Sequence, residues 1–220
     1  ARMGSSRLPG KVLMGILGKP MLMLQIERLK RARMIDLLVV ATTTNGLDDV
    51  IEDLCVLNGI YCFRGSENDL LDRYYQAAKK YGADYIVRLT GDDPLTDPAL
   101  IDKMINKIKV KQCAVVTNSL MPTYPEGLDV TVLSFNALNE AWQSANLQSQ
   151  REHVTPYVFD PSNGFDIYHF QQKDDRSDLR WTVDYKEDFL FVKTIYECLY
   201  IQDESFSTCD VYNLLQEVPS

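Results

Sequence analysis

Asp84-Tyr85-Ile86-Val87-Arg88-Leu89 is a run of strand length that stops at Thr90-Gly91-Asp92-Asp93-Pro94, and a helical stretch opens at Pro98 and continues to about Lys109. A buried strand that delivers carboxylates at its carboxyl end and then leads into a helix is the repeating unit of an α/β sheet. The unit recurs upstream. Leu37-Leu38-Val39-Val40-Ala41 is a continuous apolar run ended by three threonines, which suits a strand covered on both faces, and Asp48 to Leu57 follows as a helix closed by Gly59. Ile60-Tyr61-Cys62-Phe63 reads as the next strand, with a helix from about Asp69 to Tyr81. Ahead of these, Pro20 stands near the start of a helix reaching Arg33, with Leu22, Ile26 and Leu29 at helical spacing. Strands alternating with helices predict right-handed crossovers and a doubly wound, mostly parallel (mixed) sheet, with ligands beyond the carboxyl ends of the strands.

The rhythm changes after a strand at Ala114 to Asn118. Residues 121–127 are a turn-rich connection, Leu128 to Ser134 reads as a strand, and Asn136 to Asn146 reads as a helix. Gln150 to Arg180 is the least regular part and the expected appendage; its His169 reads as a strand residue. Trp181-Thr182-Val183 predicts a returning strand that ends in Asp184, with a helix from Glu187 to about Tyr200. The 220 residues, 45% of them hydrophobic, suffice for one domain with a sizeable core. A net charge of −8 argues against nucleic acid as the main partner, because binding a phosphate backbone needs a basic face. Five scattered cysteines without a Cys-x-x-Cys pair suggest neither a disulfide framework nor a zinc site and favour reduced thiols in a cytoplasm. No apolar run reaches eighteen residues, so neither a membrane span nor a membrane partner is expected.

The first eleven residues, Ala1-Arg2-Met3-Gly4-Ser5-Ser6-Arg7-Leu8-Pro9-Gly10-Lys11, alternate small residues with cations. Gly4 and the serines let backbone N–H groups approach a polyphosphate, while Arg2, Arg7 and Lys11 bring positive charge to the same place. The spacing is not that of a Walker loop. Asp92, at a strand's carboxyl end, suits a hard cation with oxygen ligands, and Asp184 can complete a two-carboxylate site if its segment lies nearby. As purely structural features, Asp92 and Asp93 are turn formers before Pro94 and Asp184 is a helix cap.

The string of residues 1–11, together with Gly91-Asp92-x-Pro94 and Val183-Asp184-x-x-x-Asp188, resembles the signatures of the sugar cytidylyltransferases, which join CMP to acidic sugars such as Kdo and N-acetylneuraminate. Pro125-Glu126-Gly127-Leu128-Asp129-Val130 and Arg151-Glu152-His153-Val154-Thr155-Pro156 resemble most closely the branch of spore coat polysaccharide biosynthesis proteins. The resemblance implies a nucleotidyltransferase fold of Rossmann-like, GT-A-like type. It also implies a strand running into the loop, which the sequence lacks ahead of Ala1, and a small arm within residues 119–180 used in homodimerisation. It further implies Mg²⁺ held by Asp92 and Asp184, with Arg2 and Lys11 on the triphosphate of CTP. Met3, Gly4, Ser5, Arg7, Ala41, Thr42 and Arg73 are then nucleotide-binding, Arg73 having an i,i+4 pair with Asp69 as its structural alternative. Glu126, Asp129, Arg151 and His153 fall on the side of the acceptor sugar, His153 equally suiting a helix start. Two other readings stay open: a nucleotide-sugar-dependent glycosyltransferase, and a non-catalytic nucleotide-binding relative.

Overall fold

The computed structural model describes residues 1–217. After the opening loop, a short antiparallel hairpin of β1 (Gly15–Ile16) and β2 (Lys19–Pro20) leads into helix α1 (Met21–Leu29). The helix stops short of the expected Arg33, and the chain passes through Met34 and Ile35 to β3 (Val39–Thr43). Helix α2 (Asp49–Leu57) crosses over to β4 (Tyr61–Gly65), which pairs with β3 in parallel, Val40 opposite Cys62 and Thr42 opposite Arg64. Helix α3 (Leu70–Tyr81) is capped by the Asp69 carboxylate, which accepts from the Asp72 N–H, and is ended by Gly82 at φ 64°.

Next come β5 (Tyr85–Arg88), α4 (Pro98–Lys111), β6 (Val115–Thr117) and β7 (Thr131–Ser134). The chain reverses between β6 and β7 because the Asn118 side chain clamps both arms of the connection, donating to Leu128 O and accepting from Val130 N, each at 2.8 Å. Strand β7 therefore lies antiparallel to β6, and also to β5, between which it is inserted. Helices α5 (Phe135–Ser144), α6 (Gln148–Glu152) and α7 (Pro156–Phe159) follow, and β8 (Ile167–His169) adds in parallel to β6. The four-stranded sheet thus runs β5-β7-β6-β8 and is mixed. Alternation along its strands sends Val116 and Val132 to the core beneath α4 and Val115 and Leu133 to the core beneath α3 and α5. Helix α8 (Lys186–Leu199) completes the first layer, and α9 (Thr208–Glu217), an element not expected from the sequence, packs Val211 beside it.

Two expectations are corrected. Residues 181–183 are not a strand of either sheet. They run extended beneath the 125–129 turn, Trp181 N donating to Glu126 O (2.6 Å) and Val183 N to Asp92 O (2.8 Å). The approach is so close that only glycine fits at 127: its φ is +103°, and an added Cβ would lie 2.5 Å from Thr182 N. Nor does the segment 150–180 stand off as an appendage. Val154 and Val158 are fully buried in the second core, and β8 is a sheet strand.

The β3–β4 pair and the four-stranded sheet are separate, and the facing edges of β3 and β5 border one groove, with Val39, Val40 and Ala41 on one wall and Ile86, Val87 and Leu89 on the other. The expected strand ahead of residue 1 lies outside the described residues. Among the described residues, no helix is long and apolar enough to cross a membrane.

Candidate active site

The opening loop is folded back on itself by Met3, whose carbonyl accepts from Ser5 N (2.9 Å) and Gly10 N (3.0 Å). Gly10 has φ +72°, which closes the loop before a short 3-10 turn at Lys11–Leu13. The loop is pinned to the first sheet by Asp48, whose buried carboxylate accepts from Met3 N (2.7 Å), Thr43 N (3.3 Å) and the Thr43 hydroxyl. Burial pushes the Asp48 carboxyl up, but the hydrogen bonds from Met3 and Thr43 outweigh it and hold it below the ordinary carboxylate range. Gly4 is exposed and meets nothing within 4 Å, so its backbone is open to a ligand.

At the base of the loop, Lys11 is buried and its Nζ donates to Asp92 Oδ2 (2.8 Å), Asp184 Oδ1 (3.0 Å) and the Val183 carbonyl (2.7 Å). The arrangement joins three segments that are remote in sequence. Arg7 reaches Asp184 Oδ1 at 2.8 Å with its guanidinium over the Tyr185 ring, and Arg180 reaches Asp184 Oδ2 at 3.0 Å. Asp188 both receives Arg180 and caps the start of α8 by accepting from Asp184 N (2.8 Å) and Tyr185 N (2.9 Å). Capping therefore falls to Asp188, which leaves Asp184 to face the loop. Burial pushes the Asp92 carboxyl up, yet the Lys11 hydrogen bond and charge prevail and hold it below its ordinary value. Its neighbour goes the other way: burial, reinforced by the charge of Asp92, raises the Asp93 carboxyl to about 7, where it pairs with the Thr90 hydroxyl.

Two cavities meet at Asp92. The larger, of about 880 Å³, is the groove between the sheets, into which Arg2, Ser5, Arg7, Lys11, Ala41 and Arg73 project. Arg73 is 4% exposed, yet its Nε has no hydrogen-bond partner; Nη1 donates to Ser66 O at 3.1 Å. The alternative i,i+4 pair with Asp69 does not form, because Asp69 is taken by Arg151 (2.5 Å). Thr42, expected in the nucleotide pocket, is instead fully buried behind Ala41 and absent from the cavity wall, since alternation on β3 turns it the other way. The smaller cavity, of about 450 Å³, is lined by Arg88, Thr90, Asp92, Asp93, Glu126 and Asp129 among others. Glu126 and Asp129 therefore fall together, as the resemblance implied. Arg151 does not join them. Its guanidinium is held by Asp69 and the Trp142 carbonyl (2.7 Å), so it ties α6 to α3 and α5. His153 is exposed at the rim of the larger cavity. Residues that the sequence reading missed are Arg88, Ser119, Tyr124 and Ser177, all in the smaller cavity. For Arg88 a signal was present: it stands at the end of the strand that leads into Gly91-Asp92.

Among the described residues no three His, Cys, Asp or Glu side chains group at metal-binding distance. Asp92 and Asp184 nevertheless converge oxygens on one positive charge, the Lys11 ammonium. Two carboxylates with room for water and phosphate oxygens match the donor set of Mg²⁺, so these residues fit the ion.

A cation-lined groove with an acidic junction to a second, smaller cavity is suited to bringing a nucleoside triphosphate against an acceptor, and the fold and site together define an enzyme that transfers nucleotidyl groups. The chain belongs to the cytidylyltransferase family, whose model matches residues 1–203. It is similar to the spore coat polysaccharide biosynthesis protein SpsF of Bacillus subtilis, 34% identical over 207 residues that cover 90% of this chain and 84% of the relative. It is also similar to the mitochondrial 3-deoxy-manno-octulosonate cytidylyltransferase of Arabidopsis thaliana, 37% identical over 139 residues, 59% of this chain and 45% of that one. Among solved structures, a cytidylyltransferase from Leptospira borgpetersenii superimposes with a TM-score of 0.93 at 35% identity, covering 98% of this chain and 91% of that chain. Of the three readings of the sequence, the nucleotidyltransferase is the one this family supports.

Proposed function

We propose that the protein transfers CMP from CTP to a hydroxyl of an acidic sugar with release of pyrophosphate, in cell-surface polysaccharide biosynthesis. One observation carries the reading: a buried lysine at the floor of a basic loop, Lys11, joined to carboxylates from two distant segments, Asp92 and Asp184. The sugar and the pathway are supported by relatives whose own names specify 3-deoxy-manno-octulosonate and spore coat polysaccharide.

In this reading Arg2, Arg7 and Arg73 receive the triphosphate, and the unpartnered Nε of Arg73 gains its missing acceptor. The exposed amides around Gly4 fix the phosphates by backbone contact, which costs no side-chain reorganisation. Lys11 neutralises charge where the α-phosphate meets the attacking oxygen. Asp92 and Asp184 would hold Mg²⁺, which supplies Lewis-acid polarisation of the phosphate. The acceptor occupies the smaller cavity, where Glu126 and Asp129 accept from its hydroxyls. Holding both substrates across the Asp92 junction converts a bimolecular encounter into a positioned one, and little covalent work falls to the protein.

The test is pyrophosphate release from CTP and Mg²⁺ against a panel of acidic, neutral and amino sugars. Release that depends on an acidic sugar, and falls when ATP or UTP replaces CTP, is expected. Release independent of any added sugar would sink the reading. A homodimer acting in the cytoplasm belongs to the same proposal; light scattering of the purified chain and fractionation of the source cells check those two points.

A further inference from the structure

The smaller cavity contains one charged side chain, Arg88, that has neither an ion-pair nor a hydrogen-bond partner among the described residues. Its acidic lining is otherwise accounted for: Glu126 is paired with Arg180 and Asp92 with Lys11. Asp93 is fully enclosed against the Thr90 hydroxyl, and Asp129 accepts from Gly127 N at 3.4 Å. Arg88 differs. Among the described residues it has no carboxylate within ion-pair distance and no hydrogen-bond acceptor, although its Nε is buried. A guanidinium N–H removed from water without an acceptor is costly unless a ligand completes it. Its place is set by the strand: Arg88 pairs opposite Thr131 at the end of β5, and the turn that follows brings Thr90 and Asp92 to the wall of the same cavity.

We propose that Arg88 is the specificity-determining residue of the acceptor cavity, its guanidinium receiving an oxyanion of the acceptor, a carboxylate or a phosphate ester. The inference rests on the nucleotidyl-transfer reading for its reaction, but it makes a separate demand on the substrate: besides a nucleophilic hydroxyl presented toward Asp92, the acceptor carries an anion directed at β5. Guanidinium pairing with a planar or tetrahedral oxyanion is bidentate where geometry allows, and so discriminates by shape as well as charge.

The experiment compares wild type, Arg88→Gln and Arg88→Lys in CTP-dependent pyrophosphate release. The acceptors are 3-deoxy-manno-octulosonate, glucose 6-phosphate, glucose and glucosamine. Wild type is expected to use an anionic acceptor, the carboxylate and phosphate arms telling which oxyanion it is. Arg88→Gln is expected to raise KM for that acceptor about tenfold to a hundredfold with KM for CTP unchanged, and Arg88→Lys to recover part of the loss. Stabilisation by CTP, measured by thermal unfolding, reports that each variant is folded. Use of glucose or glucosamine as efficiently as an anionic sugar, or an Arg88→Gln effect confined to CTP, overturns the proposal while leaving cytidylyl transfer intact. If no sugar elicits pyrophosphate, the nucleotidyl-transfer reading fails instead. Calorimetry with 3-deoxy-manno-octulosonate and with glucose 6-phosphate then decides Arg88: binding lost in Arg88→Gln supports the assignment, and equal or absent binding overturns it.

Discussion

Lys11 has two duties that a substitution cannot separate, because its ammonium is at once the cation at the base of the opening loop and the partner of two carboxylates, Asp92 and Asp184. Lys11→Met keeps the stem and removes the charge. Turnover is expected to fall by about a hundredfold or more, and stability by about 3 kcal/mol, as an ion pair with one partner removed leaves its counter-charge in place. Arg7 and Arg180 still reach Asp184, so Asp92 is the carboxylate left exposed to the loss. Pyrophosphate assays paired with urea unfolding measure both effects; a fall in turnover at full stability would mean that the pair is not formed in solution. Asp48 offers a pH test. Its carboxyl is held below its ordinary value in the fold, so it contributes stability above the unfolded value near 4, and that contribution is lost as pH falls through the lower folded value. The stability difference between wild type and Asp48→Asn should therefore be constant from pH 8 to about pH 5 and shrink in more acidic solution. A difference that grows with acid would reverse the sign and refute the assignment.

At the scale of elements, what could be read from sequence is what local chemistry decides. The helix after β5 was legible because Asp97 caps it and Pro98 occupies its first turn, and α3 because Asp69 and Gly82 mark its ends. The fold of the opening loop and the placing of Asp92 just after a strand were legible for the same reason, being properties of a few adjacent residues. Residues 181–183 were misread because Trp-Thr-Val has the composition of a strand, while its hydrogen bonds go to Glu126 and Asp92, a partnership that only tertiary structure supplies. Arg151 was drawn toward the acceptor by its motif, and the pairing with Asp69, 82 residues away, is invisible in the chain. That pairing gives a prediction at the junction of α3, α5 and α6, where Tyr75 also stacks on Trp142 with ring centroids 4.0 Å apart. Arg151→Ala should lower stability by about 1–2 kcal/mol, since the pair is partly solvent-screened, and leave KM for the acceptor unchanged. Thermal unfolding and acceptor titration read the two quantities; a raised KM with unaltered stability would return Arg151 to the acceptor side.

Over the whole molecule, the cores are unequal in how they are held. Strand β7 has neighbours on both sides and contributes Val132 and Leu133 to opposite cores, whereas β4 has one strand neighbour among the described residues, β3, and rests on the small cluster around Ile51, Cys55 and Ile60. The opening loop ties the two parts together from both directions, through Met3 to Asp48 on one side and Lys11 to Asp92 and Asp184 on the other. A nucleotide lying in the groove would touch the walls of both, Ala41 and Arg73 with Leu89 and Gly91. An edge strand opens locally at lower free energy than a doubly flanked one, and a ligand binding both walls of the groove suppresses that opening. Amides of Tyr61–Gly65 should accordingly exchange with deuterium faster than those of Thr131–Ser134 in the free protein. CTP at about a hundred times its dissociation constant adds about 2.7 kcal/mol to global stability, and the slowing of exchange should be greatest in β3 and the loop. Protection spread evenly over both sheets would instead mean that they already open as one unit, and that the loop, rather than the nucleotide, sets their union.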